Sequence, residues 1–155
     1  MVLLIKIAFL TNHLNYTIPF SSAASNIYEK FNVEIEGYIR TGKDLEDQET
    51  LTNFLEFAKK SNITIIHLMG NKDNIPQFNQ FLMSLLDLRV PIFISSVPFD
   101  AELVALSNIE KDDFNKIFQY LNYGGLENFE NLLLFLSNRF TFTNFAFNQP
   151  KLLPW

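Results

Sequence analysis

The chain has 155 residues and a mass of 18.0 kDa, enough for one domain with its own core. With 48% hydrophobic residues, 17 Phe and 19% charged residues, its composition is that of a packed interior and excludes a disordered or fibrous chain. A net charge of -5 without any basic run argues against a nucleic-acid partner, and the absence of Cys excludes disulfides, thiolate metal sites and thiol nucleophiles.

The opening run MVLLIKIAFLT has no positive charge ahead of it, is interrupted by Lys6 and is followed by no small-residue cleavage pattern, so it reads as a strand from Val2 to Thr11 rather than a signal peptide. A helical pattern from Pro19 to Phe31 follows, then a strand from Val33 to Arg40 and a helix from Leu45 to Lys60. Ile63 to Met69 and Pro91 to Ser95 are further short runs rich in β-branched residues, separated by a helical pattern from Ile75 to Leu86. Strands this apolar suit a parallel sheet covered on both faces. Alternation of strand and helix implies right-handed crossovers and an α/β fold, a doubly wound, flavodoxin-like four-stranded parallel sheet in the order 2-1-3-4. No stretch reaches the roughly 18 uninterrupted apolar residues of a membrane span, and a cytoplasmic protein is expected.

Helices take over after Ser96. Pro98 can open a short helix through Ser107. Phe114, Ile117, Phe118 and Leu121 then recur at helical spacing, behind Glu110, Asp112 and Asp113 at the positive end of the helix dipole. Gly124 and Gly125 supply a turn that needs permissive backbone, and Phe129, Leu133, Leu136 and Phe140 line the returning helix. The result is a C-terminal αα-hairpin. The tail TFTNFAFNQPKLLPW, with its two prolines, is expected to run extended. The chain thus reads as a single α/β domain, with a sheet core over 1–96, a helical appendage over 97–140 and a tail over 141–155.

Candidate chemistry is sparse. In a 2-1-3-4 sheet strands 1 and 3 are neighbours, and their carboxyl ends flank the switch point at which open α/β sheets bind ligands. Asn12, His13, Gly70 and Asn71 fall there and are the candidate ligand-binding residues. The bland alternative makes His13 a solvated loop residue and His67 a core or turn-capping histidine. The two His residues stand far apart with no carboxylate at a ligand spacing, so no metal site is expected. GGLEN follows a helix rather than a strand and lacks phosphate-loop spacing; the LEDQE run, Leu45 to Glu49, reads as a solvated helix start; Ser95 and Ser96 lack a nucleophile elbow. No catalytic residue is assigned. A receiver domain would need acidic residues after strand 1, and a flavin module a glycine-bearing phosphate loop there; LNYTIPFSS offers neither.

Four segments in succession, HLMGNKDNIPQFNQF, PFDAELVALSNI, YLNYGGLENFENLLLFLSNRF and FNQPKLLPW, resemble the N-terminal region of the large subunits of cobaltochelatase and magnesium chelatase, the CobN type in particular. The resemblance covers the chain from the third strand to Trp155, and the YGG-x-EN-x-x-x-L-x-x-FL element is its most specific part. It implies a non-catalytic scaffold or docking domain of an ATP-dependent tetrapyrrole metal chelatase, with the catalytic body beyond Trp155. It further implies that the parent complex uses ATP, magnesium and a metal ion, cobalt or magnesium, while this chain holds no cofactor. Its partners would be the remainder of the large subunit, ATPase-class chelatase subunits and, through the parent protein, the tetrapyrrole substrate. The alternative is a self-sufficient small-ligand module using the crevice between strands 1 and 3.

Overall fold

A computed structural model describes residues 3–12, 14–70 and 78–152. In chain order the elements are β1 (Leu3–Thr11), α1 (Thr17–Phe31), β2 (Val33–Arg40), α2 (Gln48–Lys59), β3 (Ile63–Met69), α3 (Phe78–Leu86), β4 (Ile92–Val97), α4 (Ala101–Val104), α5 (Lys111–Tyr123) and α6 (Leu126–Phe140). The four strands form one all-parallel sheet, as the alternation of elements predicts, in the expected flavodoxin-like order β2-β1-β3-β4. Ile7 stands opposite Ile63 across β1 and β3, and Ile65 opposite Phe93 across β3 and β4. Six of the seven β3 residues are buried, so this strand is dry on both faces, which explains its lack of polar alternation.

Local chemistry sets the ends of the helices. The Asp47 carboxylate accepts from the Thr50 backbone N–H at 3.1 Å and from its hydroxyl at 2.8 Å, so Asp47 of the acidic run caps α2 and Glu49 lies in its first turn. Asn32 closes α1 at φ 57°, a left-handed position that Asn tolerates better than most residues. The short helix expected from Pro98 starts three residues later, at Ala101, where Asp100 supplies the cap to Glu102 N and Leu103 N. Gly124 and Gly125 carry φ of 67° and 83° at the α5–α6 turn, as a turn built on two glycines requires.

Contacts divide the chain into two compact units that do not follow sequence order. One contains Lys6–Leu14 and Gly37–Ile109, with most of the sheet. Its core joins Ala8 and Leu10 of β1, Ile66 and Leu68 of β3 and Ile92 and Ile94 of β4 to Phe54 and Ala58 of α2 and Phe78, Phe81 and Leu85 of α3. The other contains Asn15–Glu36 and the chain from Glu110 onward, together with the first residues of β1. Here α6 is the central helix, with Asn128, Phe129 and Asn131–Ser137 all buried, and α1 packs on it through Phe20, with Tyr16 just ahead of the helix, against Phe129.

Candidate functional site

Asn12 stands at the carboxyl end of β1, and its amide closes on the neighbouring strand. Its Nδ2 donates to Met69 O at 2.8 Å and its Oδ1 accepts from Met69 N at 2.6 Å. A side-chain amide has the same donor and acceptor as a peptide, so Asn12 adds one more rung to the β1–β3 ladder where the strand itself has ended. Gly70 follows with φ 98° and donates its N–H to Val97 O at 2.7 Å. The structure therefore brings Asn12 close to Gly70; His13 and Asn71 lie outside the described residues. A cavity of about 430 Å³ opens beside Gly70 but extends toward β4 and α4, lined by Ser96, Pro98, Phe99, Asp100 and Glu102. Two of its polar side chains already have local duties, since Ser96 Oγ donates to Pro98 O at 2.9 Å and Asp100 caps α4.

His67 and Ser95 form a second polar pair, with Nδ1 and Oγ 2.6 Å apart on adjacent strands. Spacing of this kind is what a hydroxyl nucleophile and its base require. Both residues are 0% exposed, however, so no substrate atom can reach the hydroxyl. The pair is a core hydrogen bond between strands, the bland reading of His67. Among the described residues no group of three or more His, Cys, Asp or Glu is placed to hold a metal ion. Nor is any helix among them long and apolar enough to cross a membrane.

The most developed polar arrangement was not anticipated from the sequence and lies in the hairpin unit. Asn128, Asn131 and Asn138 of α6 hold the tail, which turns back at Thr141 and carries neither helix nor strand over 143–152. Asn138 donates to Phe145 O and accepts from Phe145 N, both at 2.8 Å. Asn131 accepts from Asn148 N at 2.8 Å. Asn128 donates to Lys151 O at 2.8 Å and accepts from Lys151 N at 3.0 Å, while the same Nδ2 reaches Gly124 O at 2.7 Å. Tail residues 145, 148 and 151 thus meet α6 at every third position, in antiparallel order, through backbone atoms. Rings complete the docking. Phe145 packs on Phe31, and Phe147 packs on Phe135 with Lys116 Nζ above both of those last rings. The Tyr120 hydroxyl donates to Asn148 O, and burial raises the phenol well above its ordinary pKa. At the other end of α6, Arg139 donates to Asp113 at 2.8 and 3.0 Å, a bond that, with the charge of Asp113 and then Glu110, raises the guanidinium further.

This arrangement left a trace in the sequence: three Asn residues in a helix rich in Leu and Phe. Hydropathy alone places such residues outward. Asn128 and Asn131 are instead buried, and Asn138 is half-buried.

No family model matches the chain. Over 160 residues it is 31% identical to an uncharacterized protein of Methanocaldococcus jannaschii, a match that takes in 99% of this chain and 12% of that protein. Among solved structures, the catalytic subunit of cobaltochelatase from Mycobacterium tuberculosis matches 96% of this chain with a TM-score of 0.72 and 20% sequence identity. The fold is that of a cobaltochelatase segment. This segment is 11% of the solved chain, so the chain spans a small part of both proteins it matches.

Proposed function

We propose that this chain is a non-catalytic scaffold and docking domain, of the N-terminal CobN type, from the large subunit of an ATP-dependent tetrapyrrole metal chelatase. The observation that carries this reading is the fold likeness, which covers 96% of this chain and 11% of a cobaltochelatase catalytic subunit. The disposition of polar groups supports it. Asn12, the His67–Ser95 pair and the α6 asparagines each spend their hydrogen bonds on the protein itself. In this reading the metal, cobalt or magnesium, and the tetrapyrrole are handled by the remainder of the large subunit, while ATPase-class subunits using ATP and magnesium drive insertion. The chain contributes surface.

The test is association. The chain, isotopically labelled for NMR, is titrated with the remainder of a chelatase large subunit and, separately, with the ATPase-class subunits. Docking predicts saturable shifts confined to one face with at least one of these partners. Spectra unchanged by all of them would overturn the assignment.

A further inference from the structure

Both edges of a four-stranded sheet present unpaired backbone groups, and this sheet treats its two edges differently. On β4, two residues beyond α4 act as a substitute strand. Ile92 N donates to Asn108 Oδ1 at 2.6 Å and Ile92 O accepts from Asn108 N at 3.1 Å. Ile94 N donates to Ser107 Oγ at 2.8 Å, the same hydroxyl lies 3.2 Å from Ile94 O, and Asn108 Nδ2 donates to Val90 O at 2.8 Å. That edge is closed.

β2 forms the opposite edge. Along a strand, side-chain face and backbone direction alternate together, so in a parallel sheet one face goes with one backbone direction in every strand. Ile92 and Ile94 send their side chains into the α2–α3 core and turn their backbone outward from β4. Tyr38 lies on that same face of the sheet, its ring against Phe54 and Phe57 of α2. Its backbone is therefore directed at β1, and those of Ile35, Gly37 and Ile39 point away from the sheet. The Arg40 guanidinium, donating to Ile39 O at 2.7 Å, agrees with this direction. Among the described residues no loop or side chain bonds the backbone of Ile35 or Gly37 from that side.

The open edge is also self-complementary. When two copies of VEIEGYIR run antiparallel with Gly37 facing Gly37, Ile35 faces Ile39 and Glu34 faces Arg40, each pair occurring twice. The outward residues become the hydrogen-bonded pairs. Glu34 and Arg40 fall in the non-hydrogen-bonded pair, where opposed side chains come closest. Sliding the register one way sets Glu36 against Glu36; sliding it the other way pairs Glu36 with Arg40 but leaves Glu34 facing Gly42, outside the strand, and sets Gly37 against Ile39, so that Gly37→Cys no longer faces its own copy. We propose that two copies of this chain associate through β2, antiparallel about Gly37, as a two-fold dimer with one continuous sheet. In the free chain Arg40 folds back over Tyr38, 4.0 Å from the ring centre, and covers Ile39 O. On pairing, the second copy's Ile35 N–H takes that carbonyl and the guanidinium turns to the second copy's Glu34.

Sedimentation velocity of the intact chain tests the proposal. A shift from 18.0 kDa to twice that mass is expected as concentration rises, half complete on the order of 100 µM, with weaker association in high salt. Arg40→Glu sets carboxylates opposite each other at both ends and should weaken the dimer about tenfold, while the combined Glu34→Arg and Arg40→Glu restores it. Thermal melts of the dilute variants should match the parent, showing that folding is intact. Because the chain has no Cys, Gly37→Cys reports the register directly. The facing Cα atoms of a hydrogen-bonded antiparallel pair are about 5.5 Å apart, within disulfide reach, so oxidation should cross-link this variant and leave Glu56→Cys, on the exposed side of α2, monomeric. A chain that stays monomeric to about 1 mM, a dimer indifferent to the charge reversal, or a dimer that Gly37→Cys fails to cross-link overturns the proposal.

Discussion

At the scale of single residues, Gly124 and Tyr120 carry the sharpest expectations. A Cβ added at Gly124 would meet only Leu121 O, at the ordinary contact distance of 3.9 Å, so space is not the constraint. Backbone conformation is, because φ is 67° there. Gly124→Ala should lower stability by about 1 kcal/mol, read as a lower denaturant midpoint at unchanged slope. Tyr120 is fully buried and its pKa is raised by burial. A phenol whose folded pKa exceeds its unfolded one contributes stability that is complete below the unfolded value and is lost as pH climbs toward the folded value. Stability should therefore be flat with respect to this group up to about pH 10 and decline above it. Tyr120→Phe should cost about 1 kcal/mol at neutral pH, through the lost bond to Asn148 O, and should remove part of the alkaline decline. Equilibrium unfolding of both proteins at pH 7 and pH 10.5 gives the comparison; an identical alkaline slope would refute the role given to Tyr120.

At the scale of elements, α6 and the tail behave as one unit. Each two-point contact from Asn128 or Asn138 occupies both backbone groups of one tail residue, so the tail is held in a fixed register without forming a strand. Removing either amide leaves those groups to find water, a cost of about 1–3 kcal/mol. Asn138→Ala should release the tail near Phe145, and Asn128→Ala should release it near Lys151 while also loosening the Gly124 carbonyl. Hydrogen exchange of the Phe145 and Lys151 amides, protected in the parent and fast in the matching variant, would show this. The tail aromatics divide accordingly: Phe145 and Phe147 are engaged with Phe31 and Phe135, and Phe142 stands fully exposed at the reversal. Of the three, Phe142 is the one left for docking.

At the scale of the whole molecule, the proposed docking role predicts that the chain alone does not insert metal. Insertion needs a base for the pyrrole protons, ligands that strip water from the metal, and a pocket for a large planar ring. Mixed with ATPase-class chelatase subunits, ATP, cobalt or magnesium and a tetrapyrrole, the chain should give no metallated product above the no-protein control by absorbance. Turnover would overturn the non-catalytic assignment.

What the sequence determined by itself were the features set by short-range physics. Runs of Ile, Val and Leu a few residues long, alternating with helical spacing, are enough to call for a parallel sheet with right-handed crossovers, and the flavodoxin-like choice among its possible orders, 2-1-3-4, is the one the sheet has. Gly124 and Gly125 announced their turn because few other residues tolerate positive φ. Tertiary structure decided wherever a polar group's partner lies far along the chain. Asn12 needed Met69, 57 residues away, before its amide could become a ladder rung, and Asn128 needed Lys151, 23 residues away, before its burial made sense. His67 and Ser95 became a pair when β3 and β4 took their register. Contacts also gathered α1 with the C-terminal hairpin into one unit, a grouping that no shift in composition marks. Hydropathy reports whether a residue prefers water, and a buried amide is decided instead by whether a backbone N–H and C=O stand within reach, which the folded chain alone arranges.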